Sequence, residues 1–293
     1  MSAELTPGAS TAPFPGLARP RLLRARGPAP RALGVLGLAG TTAAALLVVL
    51  VAAQAPGPLL GHPAQHRLPA WMAGPLGGLA PSLAGNQGAL RTGLVVVLGV
   101  LFGCWLLVTA TARHLPMRLL AGVVAGVHVV WLLGPPLLLT DLFNYVHYAR
   151  MGALHGLNPY AVLPVADRGD PVLPLANWHH MLSPYGPLFT VLGYPLALLP
   201  VPAAYWGWKV VVLASSLGVL ALVWWLARRL GRSPQRAVAF AGLNPVVLLF
   251  GVGGAHNDAL TMLAVLGAMA LAVATWDTRG DAAPGGRPVA RGR

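Results

Sequence analysis

Between residues 32 and 53 the chain carries no charged side chain, and the same holds over 92–110, 119–139, 237–252 and 259–275, while 205–226 holds only Lys209. Each run is close to the roughly 20 apolar residues that a helix needs to cross hydrocarbon. Backbone groups in hydrocarbon must satisfy one another, so the expected fold class is an all-α membrane protein, a multi-spanning helical bundle. With 56% hydrophobic and 9% charged residues, the 293-residue chain is too apolar to close around one soluble core. Residues 186–202, GPLFTVLGYPLALLPVP, form a seventh, weaker candidate, broken by Gly193, Pro195 and Pro200.

The balance of 20 basic against 7 acidic residues gives a formal charge of +13, and most arginines lie in short stretches between or beyond the apolar runs. That placement orients membrane helices and is no footprint of nucleic acid. Residues 1–31, with arginines at 19, 21, 24, 26 and 31, read as a disordered basic cytoplasmic tail, and 276–293 as a second polar basic tail. Ala53-Gln54-Ala55 mimics a signal cleavage site, but the run before it is long for a signal, so an uncleaved helix is expected. Arg113 and Arg118 put the next loop inside, which places residues 140–185 outside as a large loop. A full crossing by 186–202 would put Arg228, Arg229 and Arg232 outside, so that segment is expected to be re-entrant or short. Residues 253–258 then emerge beside the outer loop.

Within that loop, TDLFNYVHYARMGALHGLNPY at 140–160 is unusually polar and aromatic. Read as a helix from Asp141, it puts Asp141, Asn144, Tyr145, Tyr148 and Gly152 on one face, with Phe143, His147 and Arg150 on the next. Thr140 or Asp141 would cap it, Gly156 would stop it and Asn158-Pro159-Tyr160 would turn the chain away. It would lie along the outer membrane surface with its aromatics at headgroup level. Two readings stay open: an aromatic belt with Asp141 as cap, or a carboxylate whose basicity is raised by desolvation at the membrane edge.

Other polar groups are ambiguous in the same way. His179 and His180 belong either to a solvated loop or to a site on the rigid turn 178–187, which would share the outer face. Gly253-Gly254-Ala255-His256-Asn257-Asp258 opens the last apolar run, and a glycine-rich start to a helix can receive an anion. His128 is either a buried hydrogen-bonded histidine or a functional one, and Lys209 is placed to snorkel or to meet a lipid phosphate. Cys104, the single cysteine, and the Gly122/Gly126 pair read as packing residues. There is no Walker loop, G-x-G-x-x-G, H-E-x-x-H or D-x-D; the nearest to the last is Asp167-Arg168-Gly169-Asp170. No cofactor, nucleotide or metal held by paired carboxylates is expected.

Taken together, Asp141-Leu-Phe-Asn-Tyr-Val-His-Tyr-Ala-Arg150, Gly156-Leu-Asn-Pro-Tyr160, Ser183-Pro-Tyr-Gly-Pro-Leu188, Asn244-Pro245 and Gly253-Gly-Ala-His-Asn-Asp258 resemble the actinobacterial polyprenol-phosphomannose-dependent alpha-1,6-mannosyltransferases. These are multi-spanning glycosyltransferases of the GT-C type, and the resemblance covers roughly residues 90 to 275. It implies transfer of mannose, with inversion, from a polyprenyl phosphomannose donor to a mannan or lipomannan acceptor at the outer face of the plasma membrane. It also implies that Asp141, at the position of the family's loop acid, is the catalytic base. Arg150, His256 and Asn257 are then expected on the donor phosphate, and Asn144, Tyr145, Tyr148, Tyr160 and Tyr185 on the sugars. Membrane lipids are further partners. Family members carry more spans, so the chain is expected to be C-terminally short, with a second chain as one source of the missing spans. Two other functions remain as alternatives: a transporter or flippase of a polyprenyl-linked solute, and a non-catalytic partner subunit. Against the transporter, every acid lies at a helix end or in a loop, whereas coupling carboxylates sit near the midplane.

Overall fold

A computed structural model describes residues 28–54, 68–136 and 141–281 of the chain. Most of both tails and Thr140 lie outside the described residues, while residues 28–31, expected in the first tail, begin the first helix. Those described contain helices and no strand. The first apolar run forms α1 (Pro28–Gln54) and the second α2 (Gln87–Thr111). α2 runs back along α1 because small residues let the two approach: a side-chain carbon on Gly37 would come within 2.8 Å of Val108, and one on Gly40 within 2.7 Å of the Cys104 sulfur. Cys104 is thus a packing residue, as expected.

α3 (Met117–Leu133) is shorter than the apolar run that produces it. The run was expected to span 119–139, but Gly134-Pro135-Pro136 leaves the helix, since proline removes the donor a further turn requires. Gly122 and Gly126 on α3 do not pack a neighbour: a carbon added to either meets nothing within 4 Å. α4 (Asp141–Ala153) follows, and Gly156 stops it at a φ of 63°, the left-handed conformation that glycine adopts without strain.

The expectation of a helix lying along the membrane surface is corrected here. Residues 142–149 of α4 are buried on every side, among them Phe143, Tyr145 and Tyr148. The loop from 155 to 186 and the helix α7 (Val201–Arg229) close over it. Segment 186–202 folds as α5 (Pro187–Leu192) and α6 (Tyr194–Ala197), each far too short to cross a bilayer, and α7 begins within it at Val201.

The expected span 237–252 is also not one straight helix. α8 (Pro234–Gly242) stops before Asn244-Pro245, whose side-chain oxygen takes the Val246 N–H at 2.9 Å, and a π-helical turn (Val247–Gly253) resumes at 66° to α8. α9 (Asp258–Asp281) then continues past Thr275, the expected end of the last run. By length and composition four helices can cross a membrane, at Ala29–Gln54, Val95–His114, Val201–Arg229 and Asp258–Trp276, or five if the bent pair is one crossing. α3 is apolar but shorter.

Three core clusters order the bundle from end to end. One joins Leu38, Val108, Leu115, Leu120, Leu220 and Val238, where Arg113, Arg118 and Arg228 lie close along the chain. The middle one joins α1, α3 and the π-helical turn around Trp131. The third, around Phe143, Tyr145, Tyr205 and Trp208, holds α4 against the start of α7 and Ala255. The basic loops therefore share one end, and Asp141 with residues 253–258 shares the other.

Lys209 does not snorkel. It is 1% exposed, donates to the Gly134 carbonyl at the end of α3 and lies over the rings of Tyr205 and Trp206. His128 is a buried bonding residue, 2.8 Å from the Val124 carbonyl and 3.1 Å from the Ser216 hydroxyl.

Candidate functional site

Asp141 opens α4 with its side chain 13% exposed. Burial pushes its carboxyl above the ordinary carboxylate value, against the opposing pull of His256 and of a hydrogen bond from Asn177; Asp258 pushes it further up. A carboxylate so placed is a stronger base than one in water, while the amides around it keep part of its charge satisfied.

Asn144, one turn on, fixes the loop above it. Its side-chain oxygen accepts the backbone N–H of Asn177 and of Trp178, each at 3.2 Å, and its amide donates to the Asn177 side chain at 2.6 Å and toward Asp141 at 3.4 Å. Asn177 is itself exposed, so it stands at the mouth of the site beside the carboxylate. Tyr145, on the same face, meets the start of α9: its hydroxyl donates to the Asn257 side chain at 3.3 Å and takes the Asn257 N–H at 3.4 Å. Burial raises its hydroxyl above the ordinary tyrosine value, so it stays protonated. Tyr185 packs edge-on against Tyr145 at 4.8 Å and stacks on Trp178 at 5.9 Å with planes 16° apart.

His256 closes the site from the other chain segment. Its Nε2 lies 3.8 Å from an Asp141 oxygen, its Nδ1 lies 3.7 Å from Asp258, and Nε2 is buried without a hydrogen-bond partner. The glycines before it have a packing reason. A side-chain carbon on Gly253 would come within 2.9 Å of Trp131, and one on Gly254 within 2.4 Å of the Phe250 carbonyl. Ala255 takes a φ of 52° while buried, a strained state for an alanine, and this turns the chain so that His256 faces Asp141.

Of the residues expected from the sequence, the structure thus brings together Asp141, Asn144, Tyr145, Tyr185, His256 and Asn257. It does not bring Arg150 or Tyr160 to them, and Tyr148 meets them only through its ring, edge-on to Tyr185 at 6.1 Å. Arg150 is turned to the far side of α4, where it donates to Asp170 at 2.8 Å and to the Ala197 carbonyl at 3.1 Å. The Tyr148 hydroxyl donates to the Met181 carbonyl at 2.8 Å, with burial raising it to about 12, and Tyr160 bonds Thr190 at 2.7 Å. Both tyrosine hydroxyls tie the outer loop down.

Sequence reasoning missed Asn177, Trp178 and the bridging role of Asp258. An amide beside a tryptophan in a proline-bounded loop was the available signal. It also missed a second polar cluster under the same helix. Asp167 accepts from His147 at 3.2 Å and from His155 at 2.8 Å, and Asp170 accepts from Arg150. Donor atoms of His155, Asp167 and Asp170 lie within 4.8 Å of one another, near enough for one cation. The Arg150 guanidinium already balances Asp170 there, so the cluster serves as a charged staple between α4 and the loop.

The sequence profile of a family described as "Alpha-(1->6)-mannopyranosyltransferase, N-terminal domain" matches residues 34–284. The chain is 33% identical over 141 residues to an alpha-(1->6)-mannopyranosyltransferase of Mycobacterium tuberculosis, covering 45% of this chain and 23% of that protein. It is 32% identical over 190 residues to alpha-(1->6)-mannopyranosyltransferase A of the same organism, covering 60% of this chain and 35% of the relative. Alpha-(1->6)-mannopyranosyltransferase B of Corynebacterium glutamicum is 30% identical over 139 residues, 45% of this chain and 23% of that one. The matched stretch thus spans about a quarter to a third of these relatives. No solved structure matches.

Proposed function

Because the chain belongs to the alpha-(1->6)-mannopyranosyltransferase family through its N-terminal domain, we propose that it takes part in transfer of mannose from a polyprenyl phosphomannose to an alpha-1,6-mannan or lipomannan-type acceptor, with Asp141 as the base. The observation that carries this reading is the half-buried carboxylate at the start of α4, ringed by amides and aromatics at the end of the bundle opposite the basic loops. The positive-inside rule makes the basic end cytoplasmic, which puts Asp141 at the outer face of the plasma membrane.

Asp141 accepts the proton of an acceptor hydroxyl as that oxygen attacks the anomeric carbon. The bond from that carbon to the phosphate oxygen breaks in the same displacement, inverting the centre, and the polyprenyl phosphate leaves with the electron pair. A positioned base of this kind contributes roughly 10²- to 10⁴-fold to rate. Trp178 and Tyr185 offer aromatic surface for a sugar ring at the loop side of the site, and Asn177 offers an amide for a hydroxyl. With Arg150 held by Asp170, the donor phosphate falls to the start of α9, before the Leu260 and Thr261 N–H groups begin the helical bonding at the Asn257 carbonyl.

The test is transfer from labelled polyprenyl phosphomannose to an alpha-1,6-mannoside in membranes containing the chain. Asp141→Asn is expected to lose at least roughly 10²-fold in rate while inserting at wild-type level. An Asn variant as active as wild type would falsify the base assignment.

A further inference from the structure

A half-buried base creates a problem that the displacement does not solve. After each turnover Asp141 holds a proton, and the desolvation that made it basic also favours its keeping that proton. The next cycle requires a way out.

Three side chains form a file from the interior to water. Asp141 is 13% exposed, His256 17% and Asp258 80%. His256 stands between the two carboxylates with a different ring nitrogen toward each, Nε2 to Asp141 at 3.8 Å and Nδ1 to Asp258 at 3.7 Å. Nε2 is buried and bonds nothing, so in the tautomer that carries its hydrogen on Nδ1 it is free to take a proton from the carboxyl of Asp141. The backbone that carries the ring is fixed: the His256 main-chain N–H is bonded to the Gly251 carbonyl at 3.0 Å, and Ala255 before it is in the left-handed conformation. An imidazole with a free nitrogen toward an inner acid and its other nitrogen toward an exposed one is arranged to pass a proton, and distances of this size shorten when a site closes on substrate.

Resting on the reading of Asp141 as the base, we propose that His256 relays the acceptor's proton from Asp141 to Asp258 and so to water. In the first step the hydroxyl O–H breaks and an Asp141 O–H forms. In the second that proton moves to Nε2 of His256, the imidazole becomes imidazolium and the Asp141 carboxylate is restored. In the third Nδ1 gives up its proton to Asp258, which is open to solvent; rotation of the side chain then carries the Nε2 proton to the solvent side, where exchange with water restores the starting tautomer. His256 thereby has a task other than the phosphate contact expected of it, and the carboxylates on both its sides disfavour an anion there.

Among the described residues, the titratable groups that face Asp141 are His256 and Asp258 from the start of α9, Tyr145 on its own helix and Tyr185 from the loop. The experiment measures transfer in membranes against pH for wild type, His256→Gln, Asp258→Asn and Asp141→Asn. His256→Gln is expected to lower kcat roughly 10²-fold with KM for donor and acceptor unchanged, and added imidazole is expected to restore part of the rate. Asp258→Asn gives a smaller loss of kcat. A His256→Gln enzyme at wild-type rate, or one that raises KM and is not rescued by imidazole, overturns the relay while leaving Asp141 as base. An active Asp141→Asn overturns the base itself. A second readout needs no turnover: infrared titration of labelled aspartate in the same membranes. His256→Gln should move the Asp141 midpoint to higher pH and Asp258→Asn to lower pH, because the first removes a pull on that carboxyl and the second a push. No movement in either variant rejects the coupling on which the relay depends.

Discussion

Asn144 is the residue on which the geometry of the site turns. It is 2% exposed and satisfies two backbone donors and one side chain of the loop at 177–178. Asn144→Ala leaves those groups unpaired, so a loss of about 2 to 3 kcal/mol is expected, read as a lower melting temperature in detergent. Asn177 acts on the chemistry more than on the fold. Its hydrogen bond favours the ionised Asp141, so Asn177→Ala should raise the Asp141 pKa further. With Asp141 as the proposed base, transfer is expected to be lost as pH falls through that pKa; the acid limb of the pH–rate profile should therefore lie above ordinary aspartate values and move to still higher pH in Asn177→Ala. A limb that stays put or moves down contradicts the assignment of base and partner.

At the scale of elements, two devices set the site: the charged staple under α4 and the strained turn before α9. Arg150 and Asp170 form a pair with side chains 12% and 0% exposed. Breaking such a pair from one side strands a buried charge, so Arg150→Met should cost about 3 to 5 kcal/mol. If Arg150 instead held donor phosphate, the same change would raise KM for the donor and leave the melting temperature alone, and the two measurements separate these roles. In the turn, Ala255 at a φ of 52° already tolerates a conformation that a β-branched residue resists. Ala255→Val is expected to destabilise the chain by about 1 to 3 kcal/mol and to displace His256, whereas Ala255→Gly relieves strain. A melting curve on each variant in nanodiscs tests the opposite signs.

For the whole molecule, the testable property is sidedness. α1 and α2, α3, α7, the bent pair and α9 alternate in direction, and α5 and α6 do not cross, so the basic loops gather at one end. In a Cys104→Ser background, a membrane-impermeant thiol reagent applied from outside should label Gly169→Cys and spare Leu230→Cys; both positions are exposed. Labelling at 230 would place α5 and α6 across the bilayer and move residues 253–258 to the inner face, away from Asp141, against the contact between His256 and that carboxylate.

Apolar runs near the length of a bilayer, with arginines between them, determined by sequence alone that the chain is a helical membrane protein, and the spacing of Asp141, Asn144 and Tyr145 placed those three on one helix face. That information is local: periodicity and span length need no knowledge of neighbours. Where the sequence misled, a local break or a distant contact decided. Pro135-Pro136 shortened α3, and Asn244-Pro245 bent what read as one span. Arg150 looked like a free cation until Asp170, twenty positions on, was folded under it. The burial of α4 was equally invisible, because a helix with two tyrosines, a histidine, an aspartate and an arginine has the composition of a surface helix. Only the tertiary structure supplied the partners of Asn144 and Tyr145, set Asn177 and Trp178 over Asp141, and brought His256 between two carboxylates, since the contacts of Asn144, Tyr145 and Asp141 join segments more than 30 residues apart whose meeting depends on the packing of the bundle.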